Sequence, residues 1–114
     1  MDKILEESLL FDFYSELLTP RQRSVYAGVR FGDLSLSEAA EEFGVSRQGI
    51  HDLLRRVEKQ MQKYEDSLGL VALFEKTRHI SSEIRTLCGQ LSAENLEETR
   101  EKILALTAEW ETSV

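Results

Sequence analysis

One stretch of the sequence, residues 34–55, limits the fold more than any other. It reads LSLSEAAEEFGVSRQGIHDLLR, two short segments with apolar residues at helical spacing on either side of Gly44. Ser35 and Ser46 precede these segments at the position of a helix N-cap, where a serine hydroxyl accepts a hydrogen bond from the backbone of the first turn. Glycine readily takes the left-handed conformation that ends many helices. The stretch therefore predicts two helices joined by a tight turn at Gly44.

Two helices that cross steeply through a short turn need a small residue at the crossing and apolar residues that anchor the second helix. Ala40 provides the small residue. The apolar residues expected to point inward around the turn and along the second helix are Phe43, Val45, Ile50 and Leu53. We predict a helix-turn-helix over Leu36 to Arg55, and the alternative is an ordinary helical hairpin.

Helical spacing of apolar residues continues along the rest of the chain, and the spacing of two that strands require does not occur. We predict an all-α fold in which a helix-turn-helix domain is followed by additional C-terminal helices, about six helices in total. Residues 1–68 are expected to form a helical domain that contains the motif and a long recognition helix. Residues 69–114 are expected to form a C-terminal helical hairpin.

Short signals place two of the helix starts. Thr19 and Gln22 have the spacing of a capping box, with Pro20 at the first helical position. Ser35 and Glu38 repeat the same spacing in front of the first helix of the motif. In a capping box each of the two side chains accepts a hydrogen bond from the backbone N–H of the other residue. We therefore predict helices that begin at residues 20 and 36.

Three further expectations concern the first helix and the C-terminal segment. Cys88 lies on the apolar side of its helix and is expected to be a small buried side chain. Ser92 or Asn95 is expected to cap the last helix. The first helix, residues 3–18, is expected to bury a wide face made of two adjacent stripes, Leu5, Leu9, Phe13 and Leu17 with Leu10, Tyr14 and Leu18.

The charge is unevenly distributed. The chain carries 14 basic and 21 acidic residues, a net charge of -7, which argues against general affinity for nucleic acid. However, residues 1–19 hold one basic and five acidic side chains and residues 66–114 hold five and nine, whereas residues 20–65 hold eight and seven. Between residues 47 and 63, five basic side chains outnumber two acidic ones. The basic excess therefore coincides with the second helix of the motif.

If this second helix enters a major groove, the polar residues near its N-terminus face the bases. Arginine can donate to guanine, glutamine can pair with adenine and aspartate can accept from cytosine, while further basic residues contact phosphates. The alternative for any one of these side chains is a solvated helix surface. The candidate nucleic-acid-binding residues are Arg47, Gln48, His51, Asp52, Arg55, Arg56, Lys59 and Lys63.

The sequence favours no enzyme, cofactor or metal site. His51 and His79 are far apart, and no cysteine or carboxylate stands at ligand spacing from them. A Gly-rich phosphate loop is also missing. A single cysteine agrees with a reducing compartment, and the acidic N-terminal segment is unlike a signal peptide or a membrane span. We therefore expect a cytoplasmic protein without catalytic residues, cofactor or membrane insertion.

The stretch LTPRQRSVYAGVRFGDLSLSEAAEEFGVSRQGIHDLLRRVEKQMQKYE resembles region 4 of bacterial sigma factors, and the chain is more similar still to the YlxM family of small bacterial helix-turn-helix proteins. The likeness to that family includes FDFYSELLTPRQ and YEDSLGL. It implies a dimeric helical protein encoded near signal-recognition-particle genes, regulatory or assisting protein targeting, with no established enzyme activity. It also implies a recognition helix at Ser46 to Lys59.

Two functions stay open from the sequence. One is a DNA-binding regulator that docks the second helix of the motif in the major groove. The other is a protein or ribonucleoprotein interaction module of the targeting machinery, which uses the same helix or the acidic C-terminal region. Residues 70–114 hold more apolar side chains than a hairpin can obviously bury, which favours a homodimer through this region. The expected partners are DNA or a signal-recognition-particle component, together with a second copy of the chain.

Overall fold

The computed structural model describes residues 3–114, and every regular element in that range is helical. The chain divides into two compact units, Met1–Gly69 and Leu70–Val114. The all-α fold with six α-helices agrees with the prediction. Throughout the described range, no helix is both long enough and apolar enough to cross a lipid bilayer.

The first unit contains four α-helices: α1 (Lys3–Tyr14), α2 (Pro20–Arg30), α3 (Leu36–Phe43) and α4 (Arg47–Leu68). Both predicted capping boxes are present. The Gln22 amide N–H donates to Thr19 Oγ1 at 3.1 Å, and the Thr19 amide N–H donates to Gln22 Oε1 at 3.0 Å. The Ser35 and Glu38 pair makes the same two bonds at the start of α3. The local signals therefore placed both helix starts correctly.

The first helix differs from its prediction in length and in its buried face. The α-helix ends at Tyr14, and a 3₁₀ turn (Ser15–Leu17) follows it. Tyr14 and Leu18 are buried, but Leu5 is 51% and Leu17 is 53% exposed. The first helix packs on α4 and contacts Tyr26 of α2 through the Phe11 ring, so it buries only a narrow stripe. The predicted wide buried face is wrong for the stripe that contains Leu5 and Leu17.

The core of the first unit lies between α4 and the three helices that pack on it. Ile50, Leu54, Val57 and Met61 follow one another at steps of three and four residues, so they share one side of α4. Each of these four side chains is at least 98% buried. The residues that complete the core from the other elements are Tyr14, Leu18, Val25, Tyr26, Ala39 and Ala40.

The second unit consists of α5 (Leu70–Gly89) and α6 (Leu96–Glu111), which pack against each other. Trp110 Nε1 donates to Thr77 Oγ1 at 3.1 Å, which joins the end of α6 to the first half of α5. The two helices therefore run in opposite directions as a hairpin.

Two expectations for this hairpin need correction. Cys88 is exposed, because Leu87 takes the inward position next to it, in line with Ile80 and Ile84. Asn95 is the N-cap residue of α6, but its side chain makes no bond to the first turn. Instead, Asn95 Oδ1 accepts from the Ser92 backbone N–H at 2.8 Å, which closes the loop before the helix.

Candidate nucleic-acid interface

The turn between α3 and α4 has the geometry that a helix-turn-helix requires. Gly44 ends α3 with φ +70°, in the left-handed region, and its N–H donates to the Ala40 carbonyl. Two residues further on, Ser46 Oγ accepts from the Gly49 backbone N–H at 3.0 Å and so caps α4. Ala39 and Ala40 are buried, which lets the two helices approach closely. The predicted motif is therefore formed.

The apolar anchors are partly different from those predicted. Ile50 is fully buried as expected, but Leu53 is half-buried and Leu54 is 2% exposed. Val45, expected to point inward, is exposed, and Phe43 is half-buried. Leu53 and Leu54 are adjacent leucines, and Leu54 continues the four-residue step from Ile50 that faces the other helices. The second helix is therefore anchored through Ile50 and Leu54.

All eight candidate nucleic-acid-binding side chains are exposed on the first five turns of α4. At 3.6 residues per turn, most of them lie on the side opposite the buried stripe. Arg47 and His51 lie one turn apart on the flank of that surface. We call the whole surface the outer face of α4, formed by Arg47, Gln48, His51, Asp52, Arg55, Arg56, Lys59 and Lys63.

The basic residues of the outer face make no ion pair with any residue of the described range. The two acidic residues nearby are both engaged. Glu58 Oε1 forms an ion pair with Arg30 Nη2 at 2.7 Å, and Asp52 Oδ1 accepts a hydrogen bond from Gln48 Nε2 at 3.0 Å. Five cations therefore share this face with one carboxylate, Asp52. The basic excess on this face is larger than the count along the sequence indicated, because Glu58 is paired with Arg30 of α2 and does not offset it.

The bond between Gln48 and Asp52 bears on base reading. Each of these side chains was expected to contact a base separately, Gln48 at adenine and Asp52 at cytosine. Their hydrogen bond across one helical turn uses Gln48 Nε2 and Asp52 Oδ1, the groups that such contacts need. Gln48 and Asp52 can therefore contact separate bases only if the hydrogen bond between them breaks and each side chain bonds to a base instead.

The position of α4 is fixed by polar contacts from two other helices. Arg30 pairs with Glu58, and Tyr14 Oη donates to Glu65 Oε1 at 2.6 Å. A third contact supports the turn itself, where Arg21 Nη2 donates to the Phe43 carbonyl at 3.0 Å. This last bond satisfies a carbonyl at the end of α3, which has no partner within its own helix. The outer face is thus presented by a braced helix.

Sequence reasoning missed these bracing residues. Arg30 and Glu58 are 28 positions apart, and Arg21 and Phe43 are 22 apart. No local pattern connects residues at such distances, so a three-dimensional arrangement was needed to find them. The helical spacing of apolar residues predicted that Tyr14 would be buried, but it gave no information about the partner of the Tyr14 hydroxyl.

Comparison with known proteins agrees with this architecture. Residues 1–103 match the family described as "Putative helix-turn-helix protein, YlxM / p13 like", UPF0122. A UPF0122 protein of Halalkalibacterium halodurans is 38% identical over 112 residues, which cover 98% of this chain and 97% of the relative. The chain belongs to the UPF0122 family. Another UPF0122 protein, from Shouchella clausii, is 44% identical over 85 residues, covering 75% of this chain and 78% of the relative.

The UPF0122 family is described by its helix-turn-helix and not by a catalytic activity. Within residues 3–114, no group of three or more His, Cys, Asp or Glu side chains lies where it could hold a metal ion. The outer face of α4 lies on the second helix of this motif, and its five basic side chains make no ion pair among the described residues.

Proposed function

We propose that this UPF0122 protein is a DNA-binding regulator. The N-terminal turns of α4 enter the major groove, and the more distant basic residues contact phosphates. The observation that supports this function best is the set of unpaired cations on the outer face of α4, in a chain whose net charge is -7.

The physical basis is electrostatic. Phosphate contacts from Lys and Arg release condensed counterions from the duplex and supply most of the affinity that is independent of sequence. Sequence is then read by side chains that reach base edges. In a helix-turn-helix those side chains come from the start of the second helix, which here is the position of Arg47 and His51. The acidic remainder of the chain repels DNA, so binding is restricted to this face.

The proposal is tested by fluorescence polarisation with a labelled 30-base-pair duplex, first of mixed sequence and then selected from a random pool. Arg55→Ala is expected to weaken binding to the selected site by about 1 to 3 kcal/mol if Arg55 reads a base. Lys63→Ala is expected to reduce the slope of log affinity against log salt by about 1, as for the loss of one phosphate contact.

The control is Arg85→Ala, which removes one exposed arginine from α5 and leaves α4 unchanged. Its affinity should equal that of the unaltered protein. The absence of duplex binding at low salt would refute the proposal, and so would an equal loss in Arg85→Ala and Arg55→Ala.

The alternative function is an interaction module for a ribonucleoprotein of the protein-targeting machinery. Phosphates of RNA attract the same unpaired cations, and the resemblance to the YlxM family implies a link to the signal recognition particle. The same assay with the RNA of that particle separates the two functions. Tight RNA binding without duplex binding would favour the ribonucleoprotein. A regulatory connection to the targeting pathway is part of both proposals.

We also propose that the protein acts as a homodimer through its C-terminal hairpin. A groove of about 470 Å³ runs between α5 and α6, and the half-buried Leu87 and Leu106 contribute apolar surface to it. The same groove carries Lys102, Glu83 and Glu109. In a two-fold symmetric contact, a contact from residue i to residue j of the second copy is repeated from j to i, so a contact between Lys102 and a glutamate of the other subunit occurs twice. Lys102 pairs with Glu98 of its own helix at 3.0 Å, and this exposed pair exchanges for the contact with the second copy. This self-complementary charge pattern favours a second copy of the chain as the occupant.

Light scattering after size exclusion measures the oligomeric state. Ala105→Glu places a charge in the groove, whereas Ala108→Glu makes the same change at an exposed alanine elsewhere on α6. The unaltered protein and Ala108→Glu should be dimers, and Ala105→Glu should be a monomer. A monomeric unaltered protein at micromolar concentration would rule out the dimer.

A further inference from the structure

A small pocket lies between α1, α2 and α4, on the flank of α4 that carries Glu58 and Gln62. Its cavity volume is about 170 Å³. Leu10 and Met61 provide its apolar wall, and Tyr26 from α2 also lines it. The remaining surface is mainly acidic, because carboxylates reach it from two helices. These carboxylates belong to Glu6, Glu7 and Glu58.

Tyr26 has an unusual polar group. The residue is fully buried, and its hydroxyl makes no hydrogen bond to any part of the chain that the structure describes. A buried hydroxyl without a partner destabilises a protein by about 1 to 3 kcal/mol relative to a satisfied one. Most buried polar groups in proteins are therefore paired, and an exception needs a physical reason. A ligand that supplies the missing partner is one such reason.

The electrostatic environment of the Tyr26 hydroxyl includes two of these carboxylates. Burial, and after it the negative charges of Glu58 and Glu7, raise the pKa of Tyr26 to about 12, while the nearby Arg30 guanidinium opposes this rise. Both glutamates therefore act on the hydroxyl, although neither is hydrogen-bonded to it. The pocket thus combines a protonated, unpaired hydroxyl with nearby carboxylates.

The carboxylates retain capacity to bind. Arg30 uses Oε1 of Glu58 for both of its hydrogen bonds, so Oε2 has no partner among the described residues. Glu7 is half-buried and likewise makes no ion pair within residues 3–114. Opposing these acids, Lys3 from the start of α1 is the basic residue that lines the pocket. Three carboxylates against the Lys3 ammonium and the Arg30 guanidinium leave one net negative charge, which favours a cation.

We propose that this pocket binds a guanidinium group, whose N–H groups donate to Tyr26 Oη and to the carboxylates of Glu7 and Glu58. A guanidinium is planar and presents five N–H donors in fixed directions, so it can serve several separate acceptors at once. Its faces are weakly hydrated and pack well on apolar side chains such as Leu10 and Met61. The group comes either from an arginine side chain of a protein partner or from a free small molecule.

A guanidinium suits this pocket better than a metal ion does. The carboxylates of Glu6, Glu7 and Glu58 are not grouped closely enough to coordinate one ion together. Nearby, the guanidinium carbon of Arg30 lies 6.0 Å from the centroid of the Tyr26 ring, while the same group pairs with Glu58. The protein thus already accommodates one guanidinium against these two residues. The site is independent of the proposed DNA contacts, since it uses none of the outer-face residues.

The test is a titration of the full-length protein with ethylguanidinium, followed by NMR of the tyrosine rings and backbone amides. The matched neutral probe is ethylurea, which has nearly the same shape without the charge. Saturable shifts at Tyr26, Met61 and Gln62 are expected with ethylguanidinium and not with ethylurea. Absence of saturation, or equal shifts with both probes, would overturn the proposal.

Three variants locate the binding. Tyr26→Phe and Glu7→Gln each remove one acceptor, and each is expected to raise the dissociation constant about tenfold, as for loss of a charged hydrogen bond. Tyr26→Phe removes a hydroxyl that the free protein leaves unpaired, so this variant should fold normally. Glu16→Gln removes a carboxylate that lies outside the pocket and should bind as the unaltered protein does. Equal binding by all three variants would place the probe elsewhere and refute the site.

A second arm distinguishes the two sources of the group. The peptide Gly-Gly-Arg-Gly-Gly is compared with the same peptide containing citrulline. At least fivefold tighter binding of the arginine peptide than of ethylguanidinium would assign the pocket to a protein partner. Weaker binding of the peptide would assign it to a small molecule.

Discussion

The two units of this protein bury their apolar residues to very different extents. Among the described residues of Met1–Gly69, ten hydrophobic residues are buried, from Tyr14 to Met61. In Leu70–Val114 the buried hydrophobic residues are Val71 and Ile80, and most other apolar side chains of the hairpin are half-buried or exposed. Both units are helical and both have regular apolar spacing. Regular spacing therefore gives helices in each unit but a layered core in the first one alone.

The difference follows from the number of neighbours that each helix has. In the first unit α4 is covered by α1, α2 and α3, so its apolar side is enclosed. In the second unit α5 and α6 pack on each other, and each keeps an apolar flank in the groove between them. An enclosed core fixes side chains in place, while an open pair can adjust when one is removed. Mutations in the two units should therefore differ in cost.

Two fully buried isoleucines allow the sharpest test of that difference. Ile50→Ala in α4 should destabilise the protein by about 4 kcal/mol, because its enclosed site cannot collapse around the lost volume. Ile80→Ala in α5 should cost about 2 kcal/mol, at the lower end for this substitution, because the hairpin can close over the gap. Urea unfolding followed by far-ultraviolet circular dichroism measures both.

Trp110 offers an internal control for this experiment. The sole tryptophan lies in α6, so its fluorescence reports on the second unit. Ile80→Ala should shift the fluorescence transition at least as far as the circular dichroism transition. If Ile80→Ala destabilised the protein as much as Ile50→Ala, the proposed contrast between an enclosed and an open core would be wrong.

Alanine substitutions at two glycines, one in each unit, should change stability by an intermediate amount and in opposite directions. Gly44 has φ +70°, where a side chain is strained, so Gly44→Ala should destabilise the motif by about 1 to 2 kcal/mol. Gly89 ends α5 without a positive φ, and open space surrounds the position of an added Cβ. Gly89→Ala should therefore stabilise the hairpin by up to about 1 kcal/mol through helix propensity.

Thermal unfolding of the two variants decides this prediction. The midpoint should fall for Gly44→Ala and rise for Gly89→Ala, while the same change at Gly69, φ +63°, should behave like Gly44→Ala. A higher midpoint for Gly44→Ala would contradict the assignment of the turn as the constrained part of the motif.

The sequence predicted best what depends on near neighbours. Both capping boxes, the left-handed Gly44 and the exposure of the outer face follow from residues within four positions of one another. It predicted poorly which of two apolar stripes a helix would bury. Leu17 and Leu18 are equally hydrophobic, but Leu18, four residues after the buried Tyr14, is the one that points inward. Similarly, Leu53 and Leu54 could not be ranked until the packing partners of α4 were known.

The candidate sites show the same limit. The eight outer-face residues were found because a helix-turn-helix assigns them by position. The pocket at Tyr26 was not found, since it combines residues of three helices that are as far apart in sequence as Lys3 and Gln62. Its decisive feature, a hydroxyl without a partner, is a property of packing and not of any sequence pattern.

The smallest expected effect concerns the start of α3 and its dependence on pH. The Ser35 backbone N–H and side chain bond to Glu38 and lower the pKa of that carboxyl below its ordinary value of 4.5. A lowered folded pKa means that the ionised form stabilises the folded state. This contribution is complete above pH 4.5 and is lost as the pH falls through the lowered folded value. The last helix has no equivalent, because Asn95 does not bond to the first turn of α6.

Glu38→Gln isolates this effect, since glutamine can still accept the bond from the Ser35 N–H but does not titrate. Between pH 6 and pH 3, on the order of the range in which carboxyls titrate, the melting midpoint of the unaltered protein should fall slightly more than that of Glu38→Gln. Glu41→Gln, on the same helix but outside the capping box, should keep the full acid sensitivity. If Glu38→Gln and Glu41→Gln lose stability in parallel, the capping box contributes nothing that depends on charge. The stability of the first unit would then come from its enclosed core and not from the negative charge at the start of α3.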